Sequence, residues 1–536
     1  MPFLLRNIRL GLEEPEEALP ARVAARLRVP STAVRAYAIV HRALDARRKD
    51  DLHFRYQVEV ALDGGEPRER TCVRRLRPAE FAWLRAAPYQ APEEGQEPLV
   101  NRPIVVGFGP AGMFAALRLA ELGYRPLVLE RGQAVRRRHR DILQRYYRFR
   151  EFDPESNLLF GEGGAGTYSD GKLYTRVHDP LTKEILVRLY QHGADPDILV
   201  NARPHIGSDR LPRICWRIRE AIERLGGEVR FGARVEDVRV EKDRLAGLRV
   251  GDVWWETGPV LLGIGHSARD TYRMLDRRGV RLEARPFQIG VRIEHPQALV
   301  DRWQYGAAAG HSRLGPAEYH LVAKGACGDA GDLFSFCMCP GGEILPTNES
   351  AGLIATNGAS RSRRGGRYAN SGLVITVDPS IAGLSALDGL AYQERWERLA
   401  YEATAGTYRV PAQRATDFLA DRASDGALET SFPLGATWTR LRSILPAEVA
   451  EALARGLPML DGRMPGYAGA DAILTGPETR ASAPVRIVRD PETRVACGVD
   501  GLYPIGEGAG YAGGIISAAI DGWRTGGAVV ARFRRP

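Results

Sequence analysis

The chain has 536 residues but only six cysteines and six methionines. Cysteines this sparse in a chain this long exclude a disulfide framework. A structural metal site usually needs two ligand pairs, and the sequence offers only the close pair of Cys337 and Cys339, so no metal is expected. No apolar run is long enough to cross a bilayer, and the N-terminus lacks the apolar core of a signal peptide. These absences predict a cytoplasmic protein without a membrane span.

Basic residues outnumber acidic ones, 75 to 66, which gives a net charge of +9. Such an excess has three alternative explanations: nucleic-acid binding, an anionic substrate, or the arginine preference of a high-GC genome. The last is favoured. The basic run 136–140 has two interpretations, a solvated helix face or a contact with cofactor phosphates or an acidic partner.

The segment 104–130 carries the strongest functional signal. Ile104–Val106 is a short apolar run that predicts a buried parallel strand. Gly107, Gly109 and Gly112 then form G-x-G-x-x-G, and Glu130 lies 23 positions after the first glycine. This is the pattern of a βαβ unit that holds a dinucleotide; a chance glycine cluster in a loop is the alternative.

Each residue type in this segment has a physical role. Gly107 permits the tight exit from the strand, Gly109 lets the backbone approach a pyrophosphate, and Gly112 lets the helix pack closely. The helix that opens at Pro110 and Ala111 offers unpaired N–H groups to an anion. Glu130 can accept the ribose hydroxyls and disfavours a 2′-phosphate, which favours FAD or NAD over NADP.

A second signal lies near the end of the chain. Residues 501–518 predict a strand, a glycine turn and a final helix. Flavoproteins of the glutathione-reductase type use such a turn to bring a carboxylate to the ribityl chain and a helix N-terminus to the pyrophosphate. The usual acid is Asp, and Glu507 with its longer arm departs from that pattern. The two signals together predict FAD.

Long motifs along the chain resemble those of an uncharacterised bacterial family of FAD-dependent dehydrogenases. They are LDARRK (44–49), GEGGAGTYSDGKL (161–173), GHSARD (265–270), GVRIEHP (290–296), FCMCPGG (336–342), ETR (478–480) and GEGAGYAGG (506–514). The resemblance implies an α/β fold: an FAD-binding Rossmann-like domain of the glutathione-reductase type, with an inserted α+β domain and a small N-terminal domain.

Four segments are expected. Residues 1–97 form a ferredoxin-like α+β module, with strands at 3–10, 34–44 and 54–62, a helix at 13–27 and a closing linker at 87–103. Residues 98–283 are the first part of the FAD domain, 284–480 an inserted substrate or cap domain, and 481–536 the last part of the FAD domain. The predicted cofactor-binding residues are Gly107, Gly109, Pro110, Ala111, Gly112, Glu130, Arg131, Gly163, Gly164, Gly166, Thr167, Val235, Gly265, Gly506, Glu507, Gly513, Gly514 and Ile515.

The residues that carry the chemistry are not assigned, and five are candidates. Arg292 would lie on one strand face with Glu294, as a cation near the flavin or as a surface ion pair, with His295 on the other face. Cys337 and Cys339 are a redox pair or two small buried residues in a turn. His266, with Asp270, orients a substrate or caps the following helix.

The predicted function is that of an FAD-dependent oxidoreductase, a dehydrogenase that moves hydride or electrons between FAD and a small-molecule substrate. The alternatives are a flavin-dependent RNA-modifying protein and a non-catalytic flavin-binding protein. RNA ranks lower because the N-terminal module lacks the aromatic signature of common RNA-binding strands. No second βαβ unit with an NADPH fingerprint is evident, so electrons would come from the substrate, from transient NAD(P)H or from a protein donor.

Overall fold

The computed structural model describes residues 2–84, 92–175, 179–328, 331–383 and 385–536, so the first part of the expected linker, 87–91, lies outside the described residues. The N-terminal module is an antiparallel sheet of order β2-β3-β1-β4 with two helices. Its elements are β1 (Phe3–Gly11), α1 (Leu19–Leu27), β2 (Val34–Asp45), β3 (His53–Leu62), α2 (Gly65–Val73) and β4 (Phe81–Trp83).

The three strands predicted in this module are confirmed, but the predicted start of its helix is wrong. The helix begins at Leu19 rather than at residue 13. Pro20 explains the difference, because proline has no N–H to donate and is tolerated only in the first turn of a helix.

The next segment builds most of a parallel sheet and a small antiparallel one. Its elements are β5 (Ile104–Val106), α3 (Pro110–Glu121), β6 (Leu127–Glu130), α4 (Val135–Arg140), α5 (Leu181–Gln191), α6 (Leu211–Arg224), β7 (Glu228–Phe231), β8 (Val235–Glu241), β9 (Arg244–Val250), β10 (Val253–Glu256), β11 (Val260–Leu262), α7 (Arg269–Arg277) and β12 (Leu282–Ala284). A π-helix, Asp141–Arg148, continues α4. Strands β5, β6 and β11 are buried along their whole length, as the apolar runs predicted.

The third segment forms a large sheet of order β14-β15-β17-β13-β20-β18-β19, with β16 paired to β15. All its strand pairs are antiparallel except β18 with β19. Its elements are β13 (Phe287–Pro296), α8 (Gln297–Tyr305), β14 (Val322–Ala323), β15 (Leu333–Pro346), β16 (Thr356–Ser360), β17 (Tyr368–Val377), α9 (Pro379–Ala382), α10 (Asp388–Ala403), β18 (Val410–Arg414), α11 (Ala415–Leu419), β19 (Ala436–Trp438), α12 (Ala447–Asp461) and β20 (Ile473–Glu478).

The last segment returns to the parallel sheet. Its elements are β21 (Val485–Ile487), β22 (Leu502–Pro504) and α13 (Ile515–Arg532). Strand β22 lies beside β11 and completes a parallel sheet of order β22-β11-β5-β6-β7, while β21 pairs with β12. The architecture is therefore mixed α/β.

Helices α3 and α13 lie against each other over the parallel sheet. A Cβ at Gly522 would be 1.9 Å from the carbonyl oxygen of Ala111, so only glycine allows this approach. A Cβ at Gly112 would likewise lie 1.9 Å from the carbonyl oxygen of Gly107, which confirms the packing role predicted for Gly112. The beginnings of both helices thus lie at the same edge of the sheet. Among the described residues, no helix has the length and apolar character to span a membrane.

Candidate functional site

The predicted cofactor residues meet where four parallel strands, β22, β11, β5 and β6, end. Gly164 lies against Gly109, since its Cβ would be 2.9 Å from the Gly109 Cα. A Cβ at Gly166 would lie 3.2 Å from Pro110 Cγ and 3.6 Å from Ile515 Cγ1. The loops that follow the strands therefore form one cradle, at the edge of the sheet where open α/β folds bind ligands.

The other strands bring their glycine turns to the same place. A Cβ at Gly506 would lie 2.6 Å from Ala111 Cβ, and one at Gly508 would lie 2.5 Å from the carbonyl oxygen of Gly265. The turns after β22 and β11 are thus in contact with each other and with the start of α3. Residues about 400 positions apart in sequence form one continuous surface.

Some of these glycines face open space, and this tests whether the cradle fits a dinucleotide. A Cβ at Gly109 would meet only the Gly164 Cα, at 3.8 Å, and none of Gly265, Gly513 and Gly514 has an atom within 4 Å of that position. No side chain caps α3 or α13, so both helix N-termini present free N–H groups. The cradle therefore has the room and the positive helix ends that a pyrophosphate requires.

Glu130 holds the cradle together. Its carboxylate accepts hydrogen bonds from the backbone N–H groups of Phe108 (2.7 Å), Gly132 (2.9 Å) and Gly161 (2.9 Å). A carboxylate has about four acceptor positions, so roughly one is left for a ribose hydroxyl. The residue predicted to bind ribose thus also fixes the loops on both sides of it.

Arg131 and Asp270 belong to a cluster of charges at the end of β6. Arg131 binds both carboxylate oxygens of Glu155, at 2.7 and 2.9 Å, and Asp270 at 3.0 Å, while Arg234 lies 2.8 Å from Asp270. Burial raises the pKa of Asp270, but the charges of Arg131 and Arg234 outweigh it, and the net pKa is lowered. Asp270 lies in the first turn of α7, and the N-cap position is that of Ala268, so Asp270 is not the N-cap residue. Val235 is buried beside this cluster.

Thr167 and Gly163 stabilise the glycine loop itself. The Thr167 hydroxyl is buried and donates to the carbonyl oxygen of Glu162 at 2.7 Å. A Cβ at Gly163 would lie 1.9 Å from that hydroxyl oxygen, so the glycine makes room for it. These two positions are explained by packing within the protein.

Arg138 is a loop-positioning residue that sequence reasoning missed. It is fully buried within the basic run 136–140, while Arg136, Arg137 and Arg140 are exposed. Its guanidinium donates to three carbonyl oxygens of the glycine-rich segment, those of Asn157 (2.7 Å), Glu162 (2.8 Å) and Gly164 (2.9 Å). The available signal was its place on the helix face that also carries Val135 and buried Ile142.

Glu507 and His266 lie side by side at the ends of β22 and β11, with Nδ1 of His266 3.3 Å from Oε1 of Glu507. The turn that carries Glu507 is held from behind by Asp521, which accepts the backbone N–H of Gly506 at 2.7 Å. Arg489 pairs with both oxygens of Asp521, at 2.6 and 3.0 Å. Asp521 and Arg489 gave no sequence signal, because neither lies in a glycine motif.

Arg292 and the two close cysteines meet in the large sheet. Arg292 is fully buried and binds Glu478 at 2.9 and 3.0 Å, so its interpretation as a surface ion pair with Glu294 is wrong. Its guanidinium also donates to the carbonyl oxygen of Cys337 at 2.7 Å. Cys337 is exposed and Cys339 is buried, which corrects the interpretation of both as buried residues.

Lys172 connects this cluster to the cofactor cradle. It follows the Gly163–Gly166 loop within a few residues, and its ammonium group donates to the carbonyl oxygen of Met338. The same nitrogen lies 3.2 Å from Asp170 and 3.9 Å from the Cys339 sulfur. Burial lowers the pKa of Lys172, but the neighbouring groups outweigh it and raise the pKa, so the side chain carries a fixed positive charge.

His295 lies in an aromatic core instead. Its ring packs against those of Trp303 and Tyr467, and its Nε2 is 2.7 Å from the carbonyl oxygen of Tyr467. Burial lowers the pKa of His295 from 6.5 to about 4, so the ring is neutral at physiological pH. This environment is that of a structural histidine.

The free energy of unfolding is expected to depend on pH through His295. The unfolded chain binds this proton near pH 6.5 and the folded chain only near pH 4, so stability falls as the pH drops between these values, by about 3 kcal/mol in all. His295→Phe removes this contribution. Urea unfolding of both proteins at several pH values should show a flatter profile for the variant, and His139→Phe, at an exposed position, should keep the wild-type profile. Equal slopes in the wild type and His295→Phe would contradict the assignment.

The chain is similar to known proteins over its whole length. The family described as "FAD-dependent protein, C-terminal domain-like" matches residues 286–481, and a domain of unknown function matches residues 4–61. An uncharacterised protein of Clostridium beijerinckii is 39% identical over 539 residues and covers 100% of both chains.

Two solved structures show a weak similarity to the chain. A geranylgeranyl bacteriochlorophyll reductase-like protein of Thermoplasma acidophilum is 12% identical and covers 81% of this chain and 78% of its own, with a TM-score of 0.35. An E. coli quinol fumarate reductase is 13% identical and covers 81% and 71%, with the same TM-score of 0.35. Scores this low carry no functional conclusion. The full-length relative and the matched family confirm the resemblance that the motifs indicated: the chain belongs to this bacterial family of FAD-dependent proteins, and FAD is its cofactor.

Proposed function

We propose that the protein is an FAD-dependent oxidoreductase, a dehydrogenase that transfers hydride or electrons between bound FAD and a small organic substrate. One observation carries the proposal: the segment 161–173 contacts both the cofactor cradle and the large sheet, where the substrate would bind. Its glycines, Gly164 and Gly166, contact the cradle, and Lys172 a few residues later reaches the exposed thiol region of the large sheet. A substrate bound in that region would therefore lie next to the cofactor.

Different residues of the cradle would bind different parts of the cofactor. The starts of α3 and α13, at Pro110 and Ile515, would bind the pyrophosphate, Glu130 the ribose and Glu507 the ribityl chain. FAD supplies the hydride or electron transfer when it is bound. Lys172 would attract an anionic group of the substrate through its fixed positive charge.

The proposed domain boundaries separate the cofactor from the substrate in the same way. We propose a glutathione-reductase-type FAD domain from residues 98–283 and 481–536, with 284–480 as the substrate domain. The β-α-β-β-α-β order of residues 1–97 supports a ferredoxin-like module. We further propose a cytoplasmic protein without a nucleic-acid partner, reduced by NAD(P)H or a protein donor.

Purified protein is expected to show the visible absorbance of oxidised flavin, and anaerobic NADH, NADPH or a protein donor should bleach it. Stopped-flow comparison of the two nicotinamides identifies the preferred donor. Colourless protein that cannot be reconstituted with FAD would contradict the cofactor site. If no donor or substrate reduces the bound flavin, the oxidoreductase proposal is refuted and the protein is a non-catalytic flavin-binding protein.

A further inference from the structure

Cys337 occupies a strained position in a bulge of β15. The pairing of β15 with β17 shifts between Phe336 and Cys339, and Cys337 has a φ of 41°. A non-glycine residue in this left-handed region is strained and persists only where its surroundings fix it. Bulges of this kind turn a side chain to a new direction, often beside a functional site.

The surroundings of Cys337 fix this conformation from two sides. Its carbonyl oxygen accepts hydrogen bonds from the Arg292 guanidinium at 2.7 Å and from the Cys339 thiol at 3.3 Å. Arg292 is itself held by Glu478 and by Asn370, whose amide oxygen is 2.9 Å away. The buried ion pair therefore maintains a bulge that presents Cys337 outward and turns Cys339 back towards it.

The two thiols differ in access. All six cysteines are free, and Cys337 is the exposed one, whereas Cys339 is only 1% exposed. Burial nevertheless raises the pKa of the Cys337 thiol to about 11. The Cys337 side chain is therefore the one of the two that a dissolved molecule can reach directly.

Two cations lie beside the buried thiol. The Cys339 sulfur is 3.9 Å from the Lys172 nitrogen and 4.0 Å from a nitrogen of Arg292. Burial raises the pKa of Cys339, and the charges of Lys172 and Arg292 oppose this effect without cancelling it, so the net pKa is raised. A thiolate that forms on Cys339 is therefore stabilised by two fixed positive charges.

We propose that Cys337 and Cys339 are a dithiol pair that reduces a small organic disulfide. This deepens the proposed function and rests on it, because bound FAD would return electrons to the pair. The accessible Cys337 is suited to attack the substrate, and Cys339 to resolve the product. A bridge between residues two apart closes a strained ring, and strained disulfides are readily reduced again, as a catalytic pair requires.

The reaction transfers two electrons and two protons from the two thiols to the substrate disulfide. The Cys337 sulfur bonds to one sulfur of the substrate, the substrate S–S bond breaks, and the first thiol leaves with a proton. The Cys339 sulfur then bonds to Cys337 and the second thiol leaves with a proton. The pair loses two electrons and two protons, and the substrate gains them.

Mass spectrometry of the holoenzyme tests this exchange. Protein freed of reductant is treated with 2-hydroxyethyl disulfide, and its mass is measured after denaturation. The wild type should lose two hydrogens from the peptide that carries both cysteines, whereas Cys339→Ser should retain one hydroxyethylthio group on Cys337. Cys337→Ser should show neither change, and the matched control Cys497→Ser should behave like the wild type. The rate should rise about tenfold per pH unit from pH 7 to 9, because the thiolate fraction does.

The outcomes separate this proposal from the cofactor assignment. A wild type that keeps both hydrogens, or a Cys337→Ser variant that loses them, overturns the dithiol pair whatever the flavin does. The masses do not depend on flavin colour, so absence of the cofactor shows separately in the absorbance of the same samples, and failure of the oxidoreductase shows in the anaerobic reduction by NADH or NADPH. Reaction confined to Cys327 or Cys497 would also refute the pair.

Discussion

Glu397→Gln is expected to lower the free energy of unfolding by about 3–5 kcal/mol, the usual cost of leaving buried charges without a partner. Glu397 is fully buried and accepts two hydrogen bonds of 2.9 Å from Arg269. Arg480 lies 3.2 Å from the same carboxylate, and burial together with the charge of Arg269 keeps the pKa of Arg480 well below its usual value. Without Glu397, the two arginines keep Glu349 as a shared anionic partner, and Arg269 also lies 3.8 Å from Glu394.

Urea unfolding of the two proteins measures this loss. The matched control is Glu66→Gln, which removes a partly exposed carboxylate paired with Arg70 within one helix and should cost less than about 1 kcal/mol. Equal losses for both variants would mean that the buried network contributes no more than a surface pair. Because Arg269 starts α7 and Glu397 lies in α10, the variant should also loosen the contact between the parallel and large sheets.

Gly109→Val is expected to weaken FAD binding by about 100-fold while the protein keeps its fold. The position has an ordinary backbone conformation, and its Cβ would meet only the Gly164 Cα, at 3.8 Å. The valine side chain would fill the space that the pyrophosphate needs. Loss of one hydrogen bond to a charged group costs about 1.5–3 kcal/mol, which matches this change in affinity.

Flavin fluorescence titration of the apoprotein measures the dissociation constant, and thermal unfolding without FAD measures the fold. Gly315→Val is the matched control, since that position also has open space and lies in the connection between α8 and β14, outside the glycine motifs. We expect it to bind FAD like the wild type. A Gly109→Val protein with unchanged affinity would place the pyrophosphate elsewhere.

The sequence predicted the strand, the glycine turn and the start of α3 well because their signals are local. The spacing of Gly107, Gly109 and Gly112 and the apolar strand before them lie within nine residues, and each glycine has a steric reason. The helix start at Leu19 was misplaced because acidic residues before it resemble a first turn.

Partners that are distant in the sequence were not predictable in this way. Arg269 and Glu397 are 128 positions apart, and Tyr146 reaches Asn348 across 202. No periodicity links partners so distant, and nothing in the sequence distinguishes a buried arginine such as Arg138 from its exposed neighbours except a helix face. Lys172 was overlooked for the same reason, since its partner Met338 belongs to another sheet.

The place of β22 in the parallel sheet has a consequence for biosynthesis. Strand β11 lies between β22 and β5, and Ala111 of α3 contacts both α13 and the glycine turn at Gly506. Contacts of such high sequence separation form late and slowly. A nascent chain that has exposed only β5, α3 and β6 therefore has half of a nucleotide pocket. Because the complete pocket needs β22 and α13, we expect FAD to bind only after both elements have been synthesised. Binding of FAD would then show that translation has passed Ile515.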